Sequence, residues 1–389
     1  MDRFRKIFKK FEDLSIIGIA NIVGSGISAI FWFYLASLLG TENYGELSYL
    51  ISIAGIASVF SIVGASKTIT VYTAKKIDIF TSVSLIAICS SVVTAIALII
   101  IFKNPSLSIY VIGYVFFNLV ISELLGQLQY KKYARFFIIQ KILLVSLAIG
   151  FYHLFEINGV ILGFALSFLI FSIPAIKRMK YSKINFMILK ERYGFMVNSY
   201  GMDITRAFSG YTDKLIIGPI FGFALLGNYH LGIQFLSLLT LIPSIVMQYT
   251  LPQDSIGNDN IKLKKITVLI SVILSIIGII LMPYVIPYFF PEFLDAIIIV
   301  QIISIAVIPR TISTMIISKF LGILQSKLVI VGVGIYLGIQ VPGIFILGEL
   351  FGISGIAFAL VFAEIGQMIF LIISNKYFIK NKDKINEKK

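Results

Sequence analysis

Apolar runs of about 20 residues recur along the whole of this 389-residue sequence. An α-helix needs a run of about that length to cross a bilayer, because each residue adds ~1.5 Å and the hydrocarbon core is about 30 Å thick. The strands of a membrane barrel would instead give alternating segments of roughly 10 residues, and such segments do not dominate here. Charged residues make up only 13% of the chain, where a soluble protein would carry about 25%. The sequence therefore predicts an all-α, polytopic membrane protein.

The apolar runs predict twelve spans joined by short connections. In chain order the predicted spans are 15–39, 47–66, 80–102, 108–129, 136–154, 158–176, 194–221, 229–250, 266–287, 295–317, 328–347 and 355–374. No connection is long enough to fold as a separate soluble domain. The predicted organisation is a basic segment, a first six-helix lobe, a linker, a second six-helix lobe and a basic tail, over residues 1–14, 15–176, 177–192, 193–374 and 375–389.

The net charge of +14 would suit nucleic-acid binding, but its distribution argues against that partner. If the N-terminus lies inside, most Lys and Arg residues fall in the segments on the inner side, and Lys103 is the one base in an outer loop. This pattern predicts a plasma-membrane protein whose two termini and linker 177–192 are cytoplasmic. Anionic lipid at the inner face is a sufficient partner for the charge, and no nucleic acid is required.

The N-terminal sequence MDRFRKIFKKF is basic, and an apolar stretch follows it as far as Leu39. This stretch is longer than the roughly 7–15-residue core of a signal peptide. We therefore expect a basic amphipathic segment on the cytoplasmic surface that leads into a retained first helix.

The two halves of the chain resemble each other in three places. The matched pairs are NYGELSYL with NYHLGIQFL, FKNPSLSIYVI with YFFPEFLDAII, and LFEINGVILGFAL with LFGISGIAFAL, which align Asn43 with Asn228, Pro105 with Pro291 and Leu154 with Leu350. The matches occur in the same order and each lies at a predicted outer loop. An even number of spans in each half then predicts a parallel repeat, a design that transporters use with the substrate site between the halves.

The predicted seventh span contains SYGMDITRAFSGYTDKLIIG, which carries Asp203, Arg206, Asp213 and Lys214. At 100° per residue these four residues lie within an arc of about 100° on one side of the helix. Each Lys, Arg or Asp costs about 2.5–3.5 kcal/mol at the bilayer centre, so four facing lipid would cost on the order of 10 kcal/mol. The charged side of this helix must therefore face protein or water.

Four more ionisable residues lie within other predicted spans, namely Glu123, Lys141, Arg310 and Glu364. The repeat places Glu123 and Arg310 at near-equivalent positions, where they could pair or could both line a cavity. Ionisable groups inside a membrane are functional by default. The bases Arg206, Lys214, Lys141 and Arg310 are the candidates for substrate binding, and the acids Asp203, Asp213, Glu123 and Glu364 for coupling to a proton or sodium ion or for charge balance. Structural pairing is the alternative: Asp203 with Arg206, and Asp213 with Lys214 or a neighbouring helix.

Motifs of the common enzyme classes do not occur in the sequence. It has no P-loop, no Cys/His cluster with metal-ligand spacing and no G-x-S-x-G. A membrane polymerase or glycosyltransferase would be expected to have a sizeable loop with carboxylates or bases, and the predicted outer loops are a few residues each. The sequence thus predicts a protein that is not an enzyme and binds no metal or cofactor apart from a coupling ion. A purely structural membrane protein would leave the repeat and the charged helix face unexplained.

Several segments resemble polysaccharide-lipid flippases of the Wzx type, in the multidrug/oligosaccharidyl-lipid/polysaccharide (MOP) exporter superfamily. The segments are LASLLGTENYGELSYLISIAGIASVF, YTDKLIIGPIFGFALLGNYHLG, PYFFPEFLDAIIIVQIIS and GELFGISGIAFALVFAEI. Their order and spacing carry the resemblance, which covers nearly the whole chain. The resemblance implies a MATE-like fold of two six-helix lobes that works by alternating access.

The implied substrate is a polyprenyl-diphosphate-linked oligosaccharide, moved from the cytoplasmic to the outer leaflet for surface polysaccharide biosynthesis. The implied partners are this lipid-linked oligosaccharide, membrane lipid and other polysaccharide-assembly proteins. Basic residues that this family uses in its central cavity correspond here to Arg206 and Lys214, and further to Lys141 and Arg310. A cation-coupled multidrug exporter of the same superfamily is the alternative, because the spans hold equal numbers of acids and bases. A membrane polymerase is a third candidate.

Overall fold

The computed structural model of the protein describes residues 2–181, 184–255, 260–323 and 325–386, with side chains from Ile16 to Tyr377 apart from Pro252. The basic side chains predicted for segment 1–14, and those of the tail beyond Tyr377, lie outside the described residues. Over the described residues the chain is helical throughout, with short turns between helices.

Thirteen α-helices make up the described part of the chain. They are α1 (Asp2–Ile62), α2 (Ala65–Ala74), α3 (Phe80–Phe102), α4 (Pro105–Gly126), α5 (Tyr130–Leu169), α6 (Ser172–Lys180), α7 (Phe186–Lys190), α8 (Tyr193–Phe221), α9 (Phe223–Leu239), α10 (Leu241–Ser255), α11 (Ile261–Phe289), α12 (Ala296–Gly322) and α13 (Ser326–Asn386).

The three longest helices are each broken once by a residue with non-helical backbone angles. The breaks are at Gly40 in α1, Glu156 in α5 and Gly352 in α13. Each has φ between 51° and 71°, in the left-handed region that glycine enters without a Cβ clash. Helices α1 and α13 therefore each contain two membrane-length segments, and α5 does so together with α6, as parts of the 51-residue stretch Tyr130–Lys180.

Seven helices in the described residues are long and apolar enough to cross a membrane, or eight if α9 and α10, bent by 48°, are one span. Helix α8, with its four charges, is not among them. The three broken helices, with α6 completing α5, supply two segments each, and α3, α4, α11, α12 and the α9–α10 pair supply one each, which gives eleven apolar segments. Helix α8 has 29 residues and corresponds to the predicted seventh span, but its four charges exclude it from the apolar set. The chain is a multi-pass membrane protein.

One of the three predicted repeat matches is reproduced in register. The breaks at Glu156 and Gly352 have nearly the same backbone angles, φ 51° and ψ −131° against φ 58° and ψ −135°. Three residues later, Gly159 and Gly355 each lie against a carbonyl of the preceding segment, that of Phe151 and of Leu347 respectively. Both pairs fit the predicted alignment of Leu154 with Leu350. In α5 and in α13 the two segments fold back on each other at an equivalent point.

The other two matches need correction. The backbone breaks at Gly40 and Gly222 precede equivalent helices, and five residues later Gly45 and Gly227 lie against each other's helix, next to the carbonyls of Phe223 and Thr41. Gly45 is therefore equivalent to Gly227, and the predicted alignment of Asn43 with Asn228 is wrong by three residues. The prediction aligned the Asn-Tyr pair that the two segments share. The structure instead aligns Gly45 with Gly227, where the backbones of the two helices approach each other closely.

The match of Pro105 with Pro291 is also out of register. Pro105 is the first residue of α4, where proline fits because the first turn has no partner for its N–H. Pro291 lies in the turn that precedes α12, and that helix begins five residues later at Ala296.

The chain forms two compact units. Unit 1 comprises Met1–Phe31 and Tyr49–Tyr211, and unit 2 comprises Trp32–Ser48 and Thr212–Lys389. Helix α8 contributes to both, because its first part packs within unit 1: Met196 lies against Gly64, and the Tyr211 ring lies against Gly55. The lobes 15–176 and 193–374 stay a prediction.

The core of unit 1 fixes this first part of α8. Met196 is buried with Ile62, Ile69 and Phe80 in one apolar cluster that joins the end of α1 to α2, α3 and α8. The burial of Met196 fixes the position along α2 at which the polar residues that follow it in α8 lie.

Candidate functional site

The four charged residues of α8 separate into two groups. Asp203 and Arg206 lie in unit 1, and Asp213 and Lys214 lie in unit 2. The helical angle places all four on one side of α8, but it does not predict their different neighbours. Asp203 and Arg206 border a cavity, whereas Asp213 and Lys214 are buried in protein.

The cavity in unit 1 has a volume of about 540 Å³ and is formed by residues of α1, α2, α4 and α8. Its polar lining residues are Ser66, Lys67, Tyr114, Asn118, Asp203, Arg206 and Tyr211. Apolar residues of α1 and small residues of α8 complete the wall. The volume falls within the range of about 300–1,000 Å³ that is common for small-molecule sites.

Lys67 donates a hydrogen bond to Asp203 across this cavity. Its Nζ lies 2.5 Å from the Asp203 Oδ1, and the two side chains are 34% and 17% exposed. The turn between α1 and α2 makes this contact possible, because Val63 and Gly64 both have positive φ. A side chain at Gly64 would collide with the Met196 carbonyl, so glycine is needed where α2 approaches α8.

Lys67 was not among the residues predicted for the site. Lys67 lies one residue beyond the predicted end of the second span, and the charge count places it in a cytoplasmic connection. In the structure it lies in α2, which runs on from α1 after the turn at Gly64. The one sequence signal was that Lys67 follows the apolar run closely and is followed by more apolar residues.

Arg206 lies three residues from Asp203 on α8, which places their Cβ atoms about 5–6 Å apart. The predicted alternative of an Asp203–Arg206 ion pair is not formed. Among the described residues, the Arg206 guanidinium has no ion pair and no hydrogen bond, and its side chain is exposed to the cavity. Since Asp203 balances Lys67, Arg206 leaves the cavity wall with one net positive charge.

Tyrosine rings form part of the same wall. Tyr114 stacks on Tyr110 with ring centroids 6.2 Å apart and an interplanar angle of 8°. Asn118 donates from Nδ2 to the Tyr114 carbonyl at 2.9 Å, which fixes its amide. Tyr114 and Tyr211 line the same cavity as Arg206, so the cavity offers both an ionic and an aromatic contact to a ligand.

Asp213 and Lys214 form a buried pair in unit 2. The Lys214 Nζ donates to Asp213 Oδ1 at 3.1 Å, and the Tyr229 hydroxyl donates to Oδ2 at 2.9 Å. The Lys214 backbone N–H adds a third bond to Oδ1 at 2.8 Å. Asp213 and Lys214 are 5% and 7% exposed. The alternative in which Asp213 neutralises Lys214 is therefore the arrangement that the structure has.

Arg310 and Glu364 form a second pair within unit 2. The Arg310 Nε lies 3.3 Å from Glu364 Oε1, and the Glu364 side chain is 4% exposed. Tyr336 and Gln340 are buried on α13. Both amide atoms of Gln340 are buried without a hydrogen-bond partner in the described part of the chain.

Glu123 is bound at the end of α4, away from the cavity lining. It accepts a short hydrogen bond from the Arg178 Nε and a second from Gln127 at 2.9 Å. Arg178 also contacts Asp78 at 3.3 Å. Like Lys67, Arg178 is a base that the charge count assigned to a cytoplasmic connection, and it serves as the partner of an acid within a span.

Lys141 lies on α5 with its Nζ 5.6 Å from the centre of the Phe137 ring. It has no ion pair or hydrogen bond to the described residues, and it does not line the cavity. The structure thus brings two of the eight predicted residues, Asp203 and Arg206, to the cavity.

No protein-family model matches this sequence, and no curated protein matches it. Solved structures do match over nearly the whole chain. The lipid II flippase MurJ in an inward closed conformation aligns over 92% of this chain and 87% of its own, with a TM-score of 0.77 and 15% identity. An inward-facing multidrug resistance MATE family transporter of the MOP superfamily aligns over 93% and 95%, with a TM-score of 0.73 and 14% identity.

A MOP superfamily transporter from Pyrococcus furiosus, described as having a binding pocket of reverse polarity, aligns over 95% of both chains, with a TM-score of 0.61 and 15% identity. These likenesses confirm the fold class predicted from the sequence. The chain has the fold shared by the MurJ and MATE transporters of the MOP superfamily.

Proposed function

We propose that this protein is a transporter that moves a polyprenyl-diphosphate-linked oligosaccharide from the cytoplasmic to the outer leaflet by alternating access. The observation that carries the proposal is the Arg206 guanidinium, which lines the unit 1 cavity and has no carboxylate partner among the side chains that the structure describes. Ionisable residues within membrane spans that face a cavity mark substrate or ion pathways. A guanidinium without a carboxylate partner in such a cavity suits an anionic ligand.

The chemistry of Arg206 suits a phosphate. A guanidinium presents several N–H donors in a fixed plane and binds phosphate oxygens in a bidentate manner. Tyr114, Tyr211 and Asn118 lie on the same cavity wall, where a sugar next to the phosphate would find ring faces and an amide. A cavity of about 540 Å³ suits the headgroup of such a lipid, whose hydrocarbon tail remains in the bilayer.

The alternative, a cation-coupled multidrug exporter, would need an acid free to bind a cationic drug. Each of the four acids within the spans has a basic partner: Asp203 has Lys67, Asp213 has Lys214, Glu364 has Arg310 and Glu123 has Arg178. Two of the four bases, Arg206 and Lys141, have no carboxylate partner among the described residues. The equal numbers of acids and bases in the sequence left this choice open, and the pairing pattern favours an anionic substrate.

The experiment is a flipping assay in proteoliposomes with a fluorescent polyprenyl-diphosphate oligosaccharide. Arg206→Ala should abolish flipping, and Arg206→Lys should retain part of it because the charge remains. Lys132→Ala is the matched control, since Lys132 is an exposed base outside the cavity. Unchanged flipping by Arg206→Ala at equal protein content would refute the proposal.

A further inference from the structure

We propose that Asp203 is a tethered counter-ion that the substrate's anion displaces from Lys67, so that Lys67 and Arg206 together form the anion site. This inference rests on the proposed function. It assigns a substrate-binding role to Lys67, and it makes Asp203 a competitor of the substrate for this lysine.

The geometry places the three charges within reach of one ligand. Lys67 on α2 and Arg206 on α8 both line the cavity, and Asp203, three residues before Arg206 on α8, binds the Lys67 ammonium. A phosphate bound by Arg206 could reach the Lys67 ammonium if the Asp203 carboxylate gives up its place. A lysine ammonium has three donors on a flexible stem and can turn from one oxygen to another.

The Lys67–Asp203 pair is better suited to exchange than the Asp213–Lys214 and Glu123–Arg178 pairs. Asp203 accepts its side-chain bond from Lys67 alone in the described residues. Asp213 is held by Tyr229 as well as Lys214, and Glu123 by Gln127 as well as Arg178. Asp203 and Lys67 are also partly exposed, so water screens their attraction and the pair is weakly held.

Exchange would restrain the affinity of the site. The anion gains the Lys67 ammonium only by breaking the bond between Lys67 and Asp203, so the free energy of that bond is subtracted from the binding free energy of the anion. The site then binds the anion less tightly than Lys67 and Arg206 alone would. Asp203 would reclaim Lys67 as the anion leaves, which favours release and repeated transport.

The test measures binding of a polyprenyl diphosphate to the full chain in lipid nanodiscs, alongside net flipping in proteoliposomes. Asp203→Asn keeps the shape and removes the charge. We expect it to tighten binding by about tenfold and to slow net flipping. Lys67→Ala should weaken binding.

A double variant separates exchange from simple repulsion between Asp203 and the ligand. If Asp203 acts by occupying Lys67, Asp203→Asn should change the affinity by less than about twofold when Lys67 is already alanine. A persistent tenfold gain in the Lys67→Ala background would show simple repulsion and overturn the exchange. Unchanged or weaker binding by folded Asp203→Asn would overturn it too.

The Arg206→Ala and Asp203→Asn variants distinguish a failure of the proposed function from a failure of this inference. If Arg206→Ala binds polyprenyl diphosphate as well as the unmodified protein does, the site is not an anion site and both proposals fall. If Arg206→Ala loses binding while Asp203→Asn leaves it unchanged, the site binds the anion and only the role of Asp203 is wrong.

Discussion

Replacing Asp213 with alanine removes the carboxylate that neutralises a buried lysine of α8. The Asp213 oxygens accept from the Lys214 ammonium at 3.1 Å, from the Lys214 backbone N–H at 2.8 Å and from the Tyr229 hydroxyl at 2.9 Å. Both members of the pair are nearly inaccessible. The substitution therefore leaves a buried charge without its carboxylate and a buried hydroxyl without its acceptor.

The expected cost follows from these contacts. Removing one partner of a buried ion pair costs about 3–5 kcal/mol, because the other charge stays buried. The Tyr229 hydroxyl that loses its acceptor is a smaller part of this cost, about 1–3 kcal/mol by itself. The double variant Asp213→Ala with Lys214→Met removes the charge as well as its partner, so only the hydroxyl penalty should remain. We expect the double variant to recover about 2 kcal/mol relative to Asp213→Ala.

The assay is thermal unfolding of the purified protein in detergent, followed by the loss of monodisperse protein on heating. Asp213→Ala should lower the midpoint strongly, and the double variant should lie between it and the unmodified protein. We also expect the double variant to flip substrate at a substantial rate, because Lys214 pairs with Asp213 and does not line the unit 1 cavity. Equal midpoints for all three proteins, or complete loss of flipping in a stable double variant, would refute this view of the pair.

Two other predictions test the packing of each unit. Gly45→Ala should destabilise the protein by about 1–3 kcal/mol, because the added methyl group would collide with the Phe223 carbonyl. Gly26→Ala is the control, because Gly26 is helical and has open space where the methyl group would lie. This variant should be neutral or slightly stabilising in the same unfolding assay. Arg178→Ala should lower the unfolding midpoint by leaving Glu123 without its guanidinium, and adding Glu123→Gln should restore part of the loss. A lone Arg178→Ala variant as stable as the unmodified protein would contradict this.

The spans and their number were predictable because each depends on a local property. A hydrophobic run of sufficient length must be a helix in a membrane, whatever lies next to it. Apolar segments lie on both sides of the breaks at Gly40 and Gly352. The sequence therefore predicts two spans where the chain forms one long helix with a sharp bend. Glu156 holds the same conformation without being glycine, and no local rule predicts that.

The partners of the charged residues were not predictable, because they depend on which helices meet. Lys67 and Arg178 count as cytoplasmic bases in a topology argument, yet each binds an acid within a span. The helical angle of α8 grouped Asp203 with Lys214, whereas the structure separates them into different units. The predicted site therefore contained Arg206 and Asp203 but missed Lys67, which neutralises Asp203 at the cavity.

The central claim is that Arg206 is the uncompensated cation of a cavity that takes an anionic headgroup. The most direct measurement compares the affinities of the protein in nanodiscs for a polyprenyl diphosphate and for the uncharged polyprenol of the same length. We predict that the unmodified protein and Lys132→Ala prefer the diphosphate by at least about tenfold, in keeping with one or two charge-assisted hydrogen bonds, and that Arg206→Ala loses this preference. Equal affinities for the two lipids in the unmodified protein, or a preference that survives Arg206→Ala, would contradict the claim.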